Sequence, residues 1–345
     1  MNRIFFYLSL AFSLAAFCSC NLRDRYVTIQ GFAQGGVYSV TMNLKGVDVS
    51  QQEIADSVDA ILEHIDTTLS GYNKNSQLSL FNAGYEIEPN DLFIDAYEIG
   101  YRIYEETGGI VDVSRAPLYD IWGFGFRTGE MPTDEEVEFF RDNTGFAKYV
   151  SSLKGYQGTL TSKELLLDVG CYPKLNYNAI AQGYSCDLVA KYLYSIGVKD
   201  MLVNIGEIFC DGLNPSGQPW KVGVDKPVDG NNELGAQVQG VFKVPAGPHG
   251  VVTSGNYRKF YVKDGKKYAH TIDPRTGYPV THSLLSATVI ASDAMLADAY
   301  ATYFMVVGLE DSKKFLESRT DMEVCLIYDE EGEFKTWCTP GFYLE

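Results

Sequence analysis

The chain has 345 residues, 46% of them hydrophobic, and its 45 acidic against 28 basic side chains leave a net charge of −17. That balance argues against the broad basic surface that nucleic acid selects and against adhesion to an anionic bilayer, so no nucleic-acid partner is expected. An acidic protein that handles an anionic substrate needs local compensation, and a bound cation is one source of it.

The leading segment MNRIFFYLSLAFSLAAFCSC has one early Arg, an apolar run from Ile4 to Phe17 and then small residues. The run is shorter than the ~20 residues of a membrane span and has the layout of a secretory signal. Ser19-Cys20 resembles the lipobox of bacterial lipoproteins. Residues 1–19 therefore read as a signal peptide ending at a lipidated Cys20, 20–30 as a linker from the anchor, and 31–345 as the folded domain. The expected location is the bacterial cell envelope, facing the periplasm, with membrane contact through the lipid alone. About 320 residues remain, enough for a substantial core.

VYSVTMN (37–43) alternates like a strand. The segment from Ser50 to Ser70 opens with a capping box, Ser50 with Glu53, and carries Ile54, Val58, Ile61, Leu62, Ile65 and Leu69 on one helical stripe. His64 falls off that stripe and reads as a surface residue. A second helix is predicted from Asp91 to Thr107, and a third from a capping box of Thr133 with Glu136 to near Gly145. Beyond residue 155 strand-like segments dominate: ELLLDVG, MLVNIGEIF, WKVGVD, AQVQGVFKV, YRKFYV, LLSATVIA and EVCLIY. Two helices interrupt them, one over 179–196 with Asn178 as its N-cap, the other from a Ser292 cap to a stop at Gly308. The pattern is α+β with largely antiparallel sheets and packed helices.

No P-loop, Rossmann fingerprint, serine elbow or histidine-rich zinc motif occurs. GFGFRTG (123–129) reads as a turn. Cys171, Cys186, Cys210, Cys325 and Cys338 form no C-x-x-C pair, and their odd number leaves at least one unpaired, so buried thiols are expected. With four histidines in the chain, a metal would rest on oxygen ligands, which suit Mg²⁺ or Ca²⁺. The helix from Ser292 is apolar on nearly every side, yet Asp298 sits within it and Thr302 follows one turn later on the same face. A buried carboxylate needs a cation, a set of donors or a raised pKa.

Several short blocks follow one another along the chain: GFAQGG (31–36), SGYNKNSQLS (70–79), GGIVDVSRAPLYDIWGFG (108–125), LNYNAIAQGY (175–184), VNIGE (203–207), TSGNY (253–257), HTIDPRTG (270–277) and ADAYAT (297–302). Each alone is an ordinary turn or helix start. Together and in order they resemble the ApbE family, the FAD:protein FMN transferases, over almost all of the chain from residue 31 to about residue 310.

The resemblance implies a T-fold-like α+β architecture over 31–345 and a role for each block. Asp298, Thr302 and the backbone carbonyl of Ala179 would be ligands of a Mg²⁺ ion. FAD would be the substrate, met by Tyr72, Ile110, Val111, Asp112, Asn176, Gln182 and Thr271. His270, the side chain of its motif with a pKa near neutrality, would take the proton from an acceptor hydroxyl. The reaction implied is Mg²⁺-dependent transfer of FMN from FAD, with release of AMP, to a Thr or Ser in a D-G-x-S/T-G-A-T segment of a target flavoprotein. The same metal and base would also serve an FAD pyrophosphatase with water as acceptor, and a low-turnover FAD-binding lipoprotein is the third reading. This chain departs from the family's usual blocks at Gln34-Gly35-Gly36 (for Met-Gly-Thr), Asn176 (for Asp), Gln182 (for Lys), and in VNIGE, one Gly short.

Overall fold

The computed structural model describes residues 25–124, 131–167, 171–228, 237–257, 260–263 and 266–345. The signal segment, Cys20 and most of GFGFRTG lie outside the described residues. The strands in chain order are β1 (Tyr26–Ala33), β2 (Gly36–Asn43), β3 (Met201–Asn204), β4 (Ile208–Asp211), β5 (Lys221–Asp225) and β6 (Val238–Lys243). They continue with β7 (His249–Gly255), β8 (Phe260–Lys263), β9 (Lys266–Ala269), β10 (Leu284–Ala291), β11 (Glu323–Glu330) and β12 (Glu333–Cys338). The helices are α1 (Gln51–Leu69), α2 (Gln77–Asn82), α3 (Asp91–Glu106), α4 (Ala116–Ile121), α5 (Asp134–Asn143), α6 (Ser162–Leu165), α7 (Ala181–Ser195) and α8 (Ala294–Leu316).

Eight strands form one sheet in the order β1-β2-β3-β4-β7-β10-β11-β12, and every neighbouring pair is antiparallel. Alternation along the strands sorts their side chains to two faces. Val252, Val289, Val324 and Leu326 join Ala297, Ala301 and Phe304 of α8 in one core. Val251, Ile290, Cys325 and Ile327 point the other way, onto Val222, Val224 and Phe242 of the β5–β6 hairpin. Under β1 to β3 a larger core takes in α1, α3 and α7 through residues such as Val40, Ile54, Phe93 and Val189. No helix among the described residues is long and apolar enough to cross a membrane.

The capping boxes at Ser50–Glu53 and Thr133–Glu136 are both formed, and His64 is exposed. Other expectations need correcting. The first strand starts at Tyr26, inside the segment read as linker, because Tyr26 to Ala33 pair in unbroken register with Asn43 to Gly36. Its hairpin turns on Gln34 and Gly35, both at positive φ (52° and 82°), the pairing that a two-residue type I′ loop requires. The described part of ELLLDVG is not a strand: Thr161 and Glu164 build a capping box that winds Ser162–Leu165 into a helical turn. Gly308 does not end α8 but kinks it, at φ 80° and ψ −178°, after which the chain is helical to Leu316. The kink withholds a helical partner from nearby carbonyls, and His282 Nε2 lies 3.0 Å from Met305 O.

The N-terminus of α8 rests directly on β7. A Cβ on Gly250 would stand 2.2 Å from the Ala294 Cα and 2.3 Å from its N, both backbone atoms that cannot step aside. Gly250→Ala is therefore expected to cost ~1–3 kcal/mol of stability, the usual range for overpacking, read from urea midpoints. Gly36→Ala, where a Cβ would meet nothing within 4 Å, is expected to change stability by less than ~0.5 kcal/mol. Equal midpoints for the two variants would refute the close contact.

Candidate active site

Helices α7 and α8 meet at their N-termini, and each is capped by a carboxylate from the other. Ile180 at the start of α7 offers no side-chain cap. Asp298 supplies one from α8, its Oδ2 accepting the Gly183 N–H at 3.1 Å. In return Asp187 of α7 accepts the Ala294 and Met295 N–H groups of α8, each at 2.8 Å. Asp293, not Ser292, is the local N-cap of α8, accepting from Leu296 N–H at 2.8 Å. Asn178 is not the cap of α7; it lines the cleft described below. The junction needs Gly183, where a Cβ would fall 2.2 Å from Ala294 O.

Asp298 is 5% exposed. Burial, with the Asp187 charge adding to it, raises its carboxyl well above the usual carboxylate range against the pull of the Gly183 N–H. Burial likewise pushes Asp187 up to about 7, opposed by its two backbone donors and assisted by Asp293. Among the described residues no Lys or Arg pairs with Asp298. Its second oxygen accepts no hydrogen bond there, and Thr302 lies one turn on along the same helix.

A cleft of ≈ 290 Å³ opens beside this junction. Asp298 and Thr302 reach it from α8, Gln182 from α7, and Asn176 and Ala179 from the chain entering α7. Ile110, Val111 and Asp112 also line it, and His270 and Thr271 border it from the loop after β9. The structure thus gathers the expected site residues within its described part, with one exception. Tyr72 is 70% exposed and does not line the cleft. It belongs to the turn after α1, where its N–H donates to Ser70 Oγ at 3.3 Å.

The walls are held by local chemistry. Asp112 accepts from Ser114 N–H and Oγ–H and from Phe146 N–H, and its Oδ2 lies 3.3 Å from Arg115 Nε. Its side chain is wholly buried, which leaves its main chain to face the cleft; burial raises the carboxyl despite Arg115. Thr271 donates to Asn256 Oδ1 at 2.8 Å. The loop beyond His270 closes by a Gly277 N–H bond to Asp273 O at 2.8 Å and an Arg275–Asp273 ion pair. Trp122 donates to Gly277 O at 2.7 Å, tying the loop to the chain after α4. Gln182 Nε2 is 3.4 Å from Ile205 O and lies against Gly206, where a Cβ would stand 2.6 Å from it.

Glu207, the last residue of VNIGE, has no role in the sequence analysis, yet it lines the cleft, as do Thr253 and Ser254 of TSGNY. The signal available for it was the position of an acid at the end of a strand-turn block. With Asp298 and Glu207 present and no Lys or Arg among the described lining residues, the cleft is acidic.

Among the described residues no cluster of three His, Cys, Asp or Glu side chains could hold a metal. The expected donors are of another kind: one carboxylate, one hydroxyl and one backbone carbonyl. Hard oxygen donors fit Mg²⁺, which keeps several positions for water and phosphate. The half-engaged, buried carboxylate of Asp298 fits that group better than it fits a structural ion pair.

The ApbE family model matches residues 35–326. The FAD:protein FMN transferase of Escherichia coli is 32% identical over 309 residues, 87% of this chain and 84% of that protein. The Vibrio cholerae protein of the same name is 32% identical over 345 residues, 96% of each. Among solved structures, the flavin transferase ApbE from Vibrio cholerae has a TM-score of 0.74 at 30% identity, covering 92% of this chain and 98% of that one. The Pseudomonas stutzeri flavinyl transferase ApbE, in its apo form, gives 0.77 at 29% identity, covering 92% and 95%. The α+β, antiparallel architecture expected from the sequence is the one these structures share.

Asp187 holds its proton more tightly folded than unfolded. Its contribution to stability is therefore full below the unfolded carboxylate range near pH ~4 and is lost as the pH rises through about 7. Asp187→Asn, which cannot ionise, is expected to flatten that fall. Urea midpoints of wild type and variant from pH ~4 to pH ~8 check it; parallel profiles would exclude Asp187 as the cause.

Proposed function

The chain belongs to the ApbE family, and from that premise we propose that it transfers the FMN moiety of FAD to a Thr or Ser hydroxyl of a target flavoprotein, releasing AMP. The observation that carries this reading is the acidic cleft itself: His270, Asp298 and Thr302 border one space with Asn176, Gln182 and the wall of Ile110, Val111 and Asp112.

In the proposed step the acceptor oxygen forms a bond to the FMN phosphorus. The bond from that phosphorus to the bridging oxygen breaks, and its electron pair leaves with AMP. His270 accepts the hydroxyl proton as the oxygen attacks. Ile110 and Val111 offer apolar surface to the ligand, while Asn176, Gln182 and Thr271 offer hydrogen-bonding groups. Asp298, Thr302 and the Ala179 carbonyl would hold Mg²⁺, which when bound offsets the charge of the diphosphate and of the departing AMP. The acceptor is a flavoprotein carrying a D-G-x-S/T-G-A-T type segment. The signal layout of residues 1–19 and the lipobox-like Ser19-Cys20 support a lipid-anchored enzyme in the cell envelope, facing the periplasm.

Incubating the protein with FAD, Mg²⁺ and an acceptor fragment is expected to leave flavin fluorescence on the denatured acceptor band. AMP with free FMN would instead assign a pyrophosphatase, and unchanged FAD would reduce the protein to a flavin binder. Asp298→Ala is expected to abolish Mg²⁺-dependent transfer; activity retained at saturating Mg²⁺ would remove Asp298 from the metal site. His270→Ala is expected to spare FAD binding and slow transfer by ~10²–10⁴, the usual worth of a general base. Transfer at the wild-type rate would hand the proton to another group.

A further inference from the structure

Cys325 of β11 and Cys338 of β12 stand opposite one another in register, with their sulfur atoms 2.9 Å apart. The neighbouring pair fixes what kind of position this is. Thr339 N–H donates to Val324 O at 2.9 Å, and Val324 N–H is met by Thr339 Oγ1 at 2.9 Å. Antiparallel ladders alternate hydrogen-bonded with non-hydrogen-bonded pairs, so Cys325 and Cys338 occupy a non-hydrogen-bonded pair. Such pairs bring their Cα atoms to ~4.5 Å, inside the ~4.4–6.8 Å that a disulfide spans. A bond between the sulfurs would break no backbone hydrogen bond.

We propose that Cys325 and Cys338 form a cross-strand disulfide when the protein meets an external disulfide, either a small molecule or a dithiol oxidase. Cys338 is half-buried and Cys325 buried, so the first attack comes from Cys338. Its thiolate displaces one thiol from the external disulfide and forms a mixed disulfide. The Cys325 thiolate then attacks the Cys338 sulfur and displaces the second thiol. The external disulfide carries away two electrons and the two protons given up by the protein. Contact between the two thiols lowers the Cys338 pKa below the ordinary thiol value and raises that of Cys325, which suits this order of attack.

The bond would staple a vulnerable edge. β12 ends the eight-stranded sheet, and the residues after it clamp the β5–β6 hairpin. Glu345 exchanges backbone hydrogen bonds with Val241 at 2.7 and 3.1 Å and pairs with Lys221 and Lys243. Phe342 packs on Phe242 with ring centres 4.5 Å apart. A covalent tie at Cys338 anchors the strand from which that clamp extends.

The test is independent of flavin chemistry. The full chain is exposed to oxidised glutathione, its remaining thiols are alkylated in denaturant, and the protein is digested with trypsin. The expected product is the peptide spanning residues 320–335 linked to that spanning 336–345, lighter by two hydrogens than the sum of the two and separated by reductant. Cys338→Ser is expected to leave the 320–335 peptide singly alkylated. Recovery of both wild-type peptides singly alkylated, or of Cys325 linked to Cys210, its neighbour in the same core, would overturn the proposal.

Discussion

The exchange of carboxylates between α7 and α8 is the constraint on which the rest of the site depends. Two helix N-termini converge, and their partial positive charges and free N–H groups fall where Asp187 and Asp298 are buried. Neither end is capped from its own sequence alone: Ile180 brings no side-chain acceptor, and Asp293 reaches only Leu296. Because each helix completes the other, the position of Asp298 is set by two helices and by the strand beneath Ala294. Gly183 and Gly250 make the approach possible, since a side chain at either would collide with the Ala294 backbone.

Donors at helix ends stabilise carboxylates only partly. Burial still pushes both groups up; the Asp187 charge adds to the rise at Asp298, and Asp293 adds to the rise at Asp187. Among the described lining residues there is no Lys or Arg on the side facing the cleft, and Glu207 is a further acid there. A divalent ion held by Asp298, as proposed above, would offset the charge of that carboxylate and of a diphosphate in one arrangement. The metal assistance proposed above would draw its support from these charges more than from the shape of the cleft.

Features written in local sequence were legible. Ser50–Glu53 and Thr133–Glu136 are caps closed within four residues, and LLSATVIA and EVCLIY alternate between two cores. Asp298 and Thr302 stood out because a helical repeat places them on one face of an apolar segment. Contacts between distant residues were not legible. The cap of α7 comes from Asp298, 115 positions away from Gly183, so nothing near Asn178 could reveal it. The apolar content of ELLLDVG suggests a strand, while Thr161 and Glu164 settle its start as a turn of helix. Tyr72 illustrates the converse: its motif points to a ligand, but the turn holding it faces solvent.

The chain's departures from the family's usual blocks acquire a physical sense at the cleft. The resemblance sets Asn176 where Asp is usual and Gln182 where Lys is usual, and both residues line the same space. Each neutral side chain still holds its own surroundings in place. Asn176 Oδ1 accepts from Asn178 N–H at 2.9 Å, and Gln182 lies over Gly206 toward Ile205 O. Gly206 makes that turn at φ 94°. Gln34, at positive φ in the first hairpin, donates to Ser185 of α7 and so ties the hairpin to the helix that carries Gly183. Gln34, Asn176 and Gln182 are thus each engaged in the framework around Asp298.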